Sequence, residues 1–351
     1  MTVRISSVER FTLQVPFVDR VRREMERAGI HTWSELEITR VETDAGIVGW
    51  GETIQNYTWG RVEAHERVIG QSPFALMWDD SLGAGLQMAL FDAAGKLAGV
   101  PLYQLLGGKY RDSIPTYSAA GSPEAALEAI DAGFTAVKMG FSKGAASDDF
   151  DRVRAISAAV GDRGQLLIDS LGAFKLHEAI SAGRKLDELG NIGWFEDALM
   201  PEDTASYPLL VEALDTAVCV GETLSNRFQF RDLFAQRGAD LINPDLSRSG
   251  GISETKRIAE MADTFGILWS PHLSSGLPPY AAASIHLAVA TPNAVIMEGG
   301  NIHNATDIAA SRGNVLLKEP LAFKAGMAMV PERPGLGIEF DERELQKIVV
   351  A

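Results

Sequence analysis

Hydrophobic and polar positions fall into two textures along the chain. Residues 3–15 alternate loosely between apolar and polar, and residues 34–43 alternate clearly, as strands buried on one face do. Asp44-Ala45-Gly46 predicts a turn and residues 47–52 a third strand. Residues 17–34, between the first two strands, are polar and charged and read as a mobile loop. Residues 85–105 carry helical spacing, interrupted at Pro101. From about Ile114 short β-type runs alternate with longer amphipathic stretches. The runs are 114–117, 136–139, 166–169, 193–196, 218–222, 241–243, 267–270 and 294–298. Helix-like segments include 122–132, 149–160, 175–189, 227–236 and 253–265. Eight strands separated by helices are the pattern of a (β/α) barrel, although a doubly wound sheet also satisfies the pattern. The last thirty residues, punctuated by Pro and Gly, are expected to return to the first domain.

Composition narrows the function more than the fold. The 351 residues carry a formal net charge of -15, with 46% hydrophobic and 23% charged residues. That balance excludes a nucleic-acid binder, which needs clustered Lys and Arg. An anionic substrate would need a local positive centre, such as a metal. Cys219 is the single cysteine, so no intrachain disulfide forms, which fits a reducing compartment. It lies in the apolar run Ala217-Val218-Cys219-Val220 and reads as a buried structural thiol. No secretory h-region is read in residues 1–11 and no uninterrupted apolar stretch of about 18 residues is found, so no membrane is expected and the cytoplasm is the expected compartment.

The candidate chemistry lies where charge meets the ends of the apolar runs. Lys138, Asp169, Glu196, Glu222, Asp245, His272 and Glu298 each sit in or just after such a run, at intervals of 23 to 31 residues. One interval is about one βα unit. Seven successive strands would therefore each deliver an ionisable group to one end of a barrel, the end where active sites form. Any one of these alone is better explained as a cap or a surface ion pair. Three convergent carboxylates, Asp169, Glu196 and Glu222, would repel one another unless a divalent cation joined them. An all-oxygen set points to Mg²⁺ or Mn²⁺ over zinc. Asp245 and His272 fall on consecutive strands, and a carboxylate beside an imidazole fixes its tautomer and makes a usable base. Lys138 is an inward-facing candidate cation that would balance developing negative charge.

These residues resemble the enolase superfamily, specifically its mandelate racemase subgroup, over nearly the whole chain. The resemblance is carried by Gly49-Trp50-Gly51-Glu52, by residues 89–96 through Leu105-Leu106-Gly107-Gly108, and by Trp194-Phe195-Glu196-Asp197. Gly221-Glu222-Thr223, the stretch 243–252 and Ser270-Pro271-His272 complete it. It implies an α/β fold, a modified TIM barrel (β/α)₇β with an α+β capping domain. Residues 1–112 plus 322–351 would form the cap and residues 113–321 the catalytic barrel. It implies that Asp169, Glu196 and Glu222 bind Mg²⁺, that His272 paired with Asp245 is a general acid/base, and that Glu298 contacts the substrate carboxylate or enolate oxygen. A homo-oligomer is expected by the same resemblance.

Two departures bear on the reaction. The family's second-strand Lys-x-Lys pair reads Lys138-Met139-Gly140 here, so the second lysine, a base, is absent. The third-strand Asp-x-Asn reads Asp169-Ser170-Leu171. Racemisation usually needs bases on both faces of the reacting carbon, so a racemase or epimerase is disfavoured, although Lys138 itself could substitute. One base suffices for β-elimination, in which a metal stabilises the enediolate formed next to a carboxylate. The expectation is a hydro-lyase of carbohydrate acid catabolism: a sugar-acid dehydratase acting on a small carboxylate. The alternative is a cycloisomerase of a sugar lactone or anhydro sugar acid. A non-catalytic binding protein on the same fold is the reading from another class, and the complete dyad and acid set speak against it. Specificity is expected from loops carrying Arg20, His31, Tyr57 and Trp59, which would close over the site.

Overall fold

The computed structural model describes residues 3–16, 33–54, 65–141, 148–273, 277–299 and 314–350. Near the N-terminus, β1 (Ile5–Pro16), β2 (Trp33–Thr43) and β3 (Val48–Ile54) form an antiparallel sheet in the order β1-β2-β3. Gly46, at φ +73°, turns the chain between β2 and β3. The helix Ala84–Ala98 packs against this sheet so closely that a Cβ on Gly51 would run into Gly85 O, and one on Gly49 into Ala89 O. The glycines of the third strand are there for that approach.

Eight parallel strands follow: β4 (Ser113–Ala119), β5 (Ala136–Gly140), β6 (Gln165–Asp169), β7 (Ile192–Glu196), β8 (Val218–Val220), β9 (Leu241–Ile242), β10 (Leu268–Trp269) and β11 (Met297–Glu298). Each pairs with the next from β4 to β10, β11 pairs with β4, and an isolated Trp269–Ala294 bridge joins the two ends. The ring is closed, which excludes the doubly wound sheet. Among the described residues a helix fills each of the seven connections, giving (β/α)₇β: Pro123–Asp131, Asp148–Val160, Leu176–Asp187, Tyr207–Ala213, Arg227–Ala235, Ile252–Thr264 and Pro278–Val289. Strands β9 and β10 are shorter than the runs 241–243 and 267–270. Pro244 and Pro271 supply no N–H just past these strands, which limits how far a ladder can extend. The run 294–298 also shortens, to Met297–Glu298.

After the barrel, β12 (Phe323–Lys324) and β13 (Met327–Met329) form a hairpin whose second strand pairs antiparallel with the start of β4. The chain then runs back to the first sheet. Leu336 N–H donates to Asp92, Phe340 packs edge-on against Trp50 at 4.8 Å, and Gln14 N–H donates to Ile348 O. Among the described residues no helix is long and apolar enough to cross a membrane.

Candidate active site

The barrel interior explains why the charged residues converge. Tyr117, Ala136, Leu167, Trp194, Cys219 and Leu241 form a buried cluster of their own. Side chains two positions apart on a strand share a face. Two positions beyond Ala136, Leu167, Trp194 and Leu241 stand Lys138, Asp169, Glu196 and Asn243, so a polar layer lies over an apolar one at the C-terminal ends of the strands. The intervening Val137, Ile168, Phe195 and Ile242 face outward into the main core. Cys219 belongs to the apolar layer, and burial pushes its thiol up, so it stays protonated and inert.

Asp169, Glu196 and Glu222 each present one oxygen, and the three atoms lie within 4.8 Å of one another. Glu196 is fully buried. Its Oε2 accepts from Trp194 Nε1 at 2.8 Å, and its Oε1 accepts from Asn243 Nδ2 at 2.8 Å and from Lys138 Nζ at 3.0 Å. Lys138 Nζ also stands 3.2 Å from Asp169 Oδ2 and 5.4 Å from the centre of the Tyr117 ring. Burial drags the ammonium down, but the surrounding acids, Glu196 foremost, outweigh it and keep Lys138 charged. Burial likewise pushes Glu196 up to about 7; Lys138 opposes the rise, and Asp169 and Glu222 add to it. A buried carboxylate that resists ionising beside two others is a donor set suited to a divalent cation, and its all-oxygen chemistry fits a hard ion.

The imidazole of His272 stands directly beside this triad. Asp245 Oδ2 lies 2.8 Å from its Nδ1, and Glu222 Oε2 lies 3.0 Å from its Nε2, with Glu298 Oε2 at 3.6 Å. Asp245 is fully buried, and its Oδ1 accepts from the N–H groups of Ser247 and Arg248. An acceptor at Nδ1 fixes the tautomer and leaves Nε2 to face the acids. Burial alone would strip the ring of its proton; Glu298, Asp245 and Glu222 together override that and hold its affinity well above the ordinary imidazole range. In Glu222 burial opposes ionisation, but the bond to His272 wins and lowers it. Glu298 accepts from Leu273 N–H at 3.0 Å.

All seven charged positions singled out in the sequence therefore come together: Lys138, Asp169, Glu196 and Glu298 on barrel strands, and Glu222, Asp245 and His272 just past the ends of theirs. Leu171 replaces the resembled family's Asn with an exposed apolar side chain at φ +47°, and its N–H donates to Asp169 Oδ1. Gly140 ends β5 without a side chain, so it brings no second base. Arg20, His31, Tyr57 and Trp59 lie outside the described residues. Trp194 and Asn243 were missed as partners of Glu196; spacing places Trp194 on the same face as Glu196, but gives the direction of neither hydrogen bond. A cavity of about 720 Å³ whose lining includes Trp50, Lys96, Arg333 and Phe340 contains none of these residues. Convergent chemistry, and not cavity size, marks the site.

A closed parallel barrel holding three acids, a lysine and an Asp-paired histidine at the carboxyl ends of its strands defines the class: a barrel enzyme equipped for acid–base work beside a set of acids that could hold a cation. Residues 122–344 match the enolase C-terminal domain-like family, and the chain belongs to the enolase superfamily. It is 31% identical over 338 residues to D-galactonate dehydratase of Verminephrobacter eiseniae, covering 86% of this chain and 88% of that one. Among solved structures it resembles a mandelate racemase/muconate lactonizing enzyme from a Sulfitobacter species, with TM-score 0.84, 25% identity and coverage of 100% and 96%. It also resembles the 3,6-anhydro-D-galactonate cycloisomerase of Zobellia galactanivorans, with TM-score 0.82, 25% identity and coverage of 99% and 100%.

Proposed function

We propose that the protein is a Mg²⁺-dependent sugar-acid dehydratase in which His272 is the base. The observation that carries this reading is the imidazole of His272, backed by Asp245 at 2.8 Å, with Nε2 3.0 Å from one of three convergent carboxylates. Mg²⁺ held by Asp169, Glu196 and Glu222 would supply Lewis-acid stabilisation of negative charge on the substrate carboxylate. A cation held by Glu222 would lift that acid's pull on His272, freeing Nε2 to accept the proton from the carbon next to that carboxylate while Asp245 holds the ring through Nδ1–H. The electron pair left behind forms the new double bond and expels the β-hydroxyl. His272 returns its proton to the departing oxygen, which leaves as water, and the enol relaxes to a 2-keto-3-deoxy acid. Lys138 balances charge on the acid side, and Glu298 faces the substrate carboxylate.

The 31% identity to a D-galactonate dehydratase over 86% of the chain supports this substrate class. Incubating the Mg²⁺-loaded enzyme with a panel of aldonates that includes D-galactonate should yield 2-keto-3-deoxy products. Silence across a broad panel would sink the reading. The similarity to an anhydro-galactonate cycloisomerase favours a second reading, in which the same proton is removed and a ring oxygen leaves. Product NMR in D₂O separates the two, because dehydration loses water and cycloisomerisation conserves mass.

On sequence grounds alone, we assign Arg20, His31, Tyr57 and Trp59 to the distal end of the substrate. We likewise assign residues 1–112 with 322–351 to the cap and 113–321 to the barrel. The chain is also taken to act in the cytoplasm as a homo-oligomer, which light scattering on the eluted protein would test.

A further inference from the structure

The regular ladder of β10 ends before His272. β10 is two residues long, and His272 extends it only through an isolated bridge to Asp245, with a 3.3 Å bond from His272 N–H to Pro244 O. A shorter bond comes from elsewhere. Tyr280, fully buried in the first turn of the helix Pro278–Val289, donates its hydroxyl to His272 O at 2.9 Å. Burial, and after it the charge of Asp245, holds the proton on that phenol, so the hydroxyl stays a donor.

The start of this helix is fixed in turn from the other end of the chain. Its first two residues are prolines, which offer no N–H. The N–H groups that flank them, of Leu277 and Tyr280, both donate to Glu52, at 2.6 Å to Oε1 and 3.3 Å to Oε2. Glu52 is fully buried on β3, in the first sheet. A carboxylate in that place suits the positive end of a helix.

We propose that Glu52 and Tyr280 are positioning residues for His272: the first sheet sets, through the start of this helix, where the imidazole stands relative to Glu222 and Glu298. The claim rests on the proposed role of His272 as base. A base displaced by a fraction of an ångström loses reactivity without losing ligand affinity.

Tyr280→Phe keeps the ring and removes the hydroxyl, and Glu52→Gln keeps the shape and one acceptor. Full-length protein labelled with ¹⁵N-histidine is followed by NMR, with the His272 signals assigned by their loss in His272→Asn. Both variants are expected to shift the His272 Nδ1–H signal and speed its exchange with water, while Mn²⁺ affinity, read by EPR, stays within about twofold. With an aldonate that the wild type turns over, Tyr280→Phe is expected to lower kcat about tenfold or more and leave KM within about twofold. A His272 signal unmoved in both variants, even with a lowered melting temperature, overturns the proposal and leaves the two residues as struts. A signal moved only by Tyr280→Phe overturns the part of Glu52. Should the wild type turn over no aldonate, the dehydratase reading fails, and the ring signals still decide the positioning claim.

Discussion

His272 touches an acid at each ring nitrogen, and the consequences of removing it differ from those of removing a metal ligand. His272→Asn is expected to lower turnover of a competent aldonate by about 10²–10⁴-fold while leaving metal affinity intact, as titration with Mn²⁺ would show. Asp245→Asn should cost about 100-fold or more, because an amide no longer commits Nδ1 to donate. Both expectations are checked by steady-state kinetics on the same substrate. At this scale the sequence was informative because strand periodicity places every second side chain inside the barrel. Asp169, Glu196 and Lys138 could be read from their own strands. The orientation of Trp194 Nε1 and Asn243 Nδ2 toward Glu196 could not, since a hydrogen bond needs coordinates and not spacing.

Elements in this molecule depend on close backbone approach and on buried polar atoms. Gly51→Ala would drive a methyl group into the helix Ala84–Ala98, and overpacking of this kind costs about 1–3 kcal/mol or more. A lowered urea midpoint would show it. The helix Pro278–Val289 carries the fully buried His286, whose Nδ1 accepts from Tyr103 N–H and whose Nε2 lies 3.3 Å from Leu336 O. Burial lowers its pKa from 6.5 to about 4. The folded state therefore binds this proton more weakly than the unfolded state does. Its contribution is complete above pH 6.5 and declines as pH falls toward about 4, by roughly 3 kcal/mol in all. Denaturant titrations at pH 7 and pH 5 should reveal the loss, and His286→Gln should flatten the pH dependence. The polar and charged character of residues 17–34, by contrast, announced no element, although β2 begins at Trp33. Sequence patterning located strands to within one or two residues where ladders are long, as in β5 to β7. It overextended β9 and β10, past which stand the prolines 244 and 271.

At the scale of the whole molecule, three carboxylates held within 4.8 Å of one another are expected to make the folded chain sensitive to cations. An ion that binds only the folded state stabilises it in proportion to its saturation, by about 2.7 kcal/mol at one hundred times its dissociation constant. Millimolar Mg²⁺ is therefore expected to raise the melting temperature. EDTA should reverse the rise and abolish turnover, and Glu196→Gln should blunt both responses. A melting temperature indifferent to Mg²⁺ and Mn²⁺ would remove the cation site from the account.

The sequence by itself determined the alternation of strands and helices, the register that turns the acids inward, and the family motifs, because these depend on local spacing and residue chemistry. Only the tertiary structure decided that the sheet closes on itself, through β11 against β4. It alone also decided that Lys138 sits on the acids, and that Glu52 reaches a helix 225 residues away. Ring closure and such distant bonds depend on how all the elements pack together, and no local pattern along the chain records that.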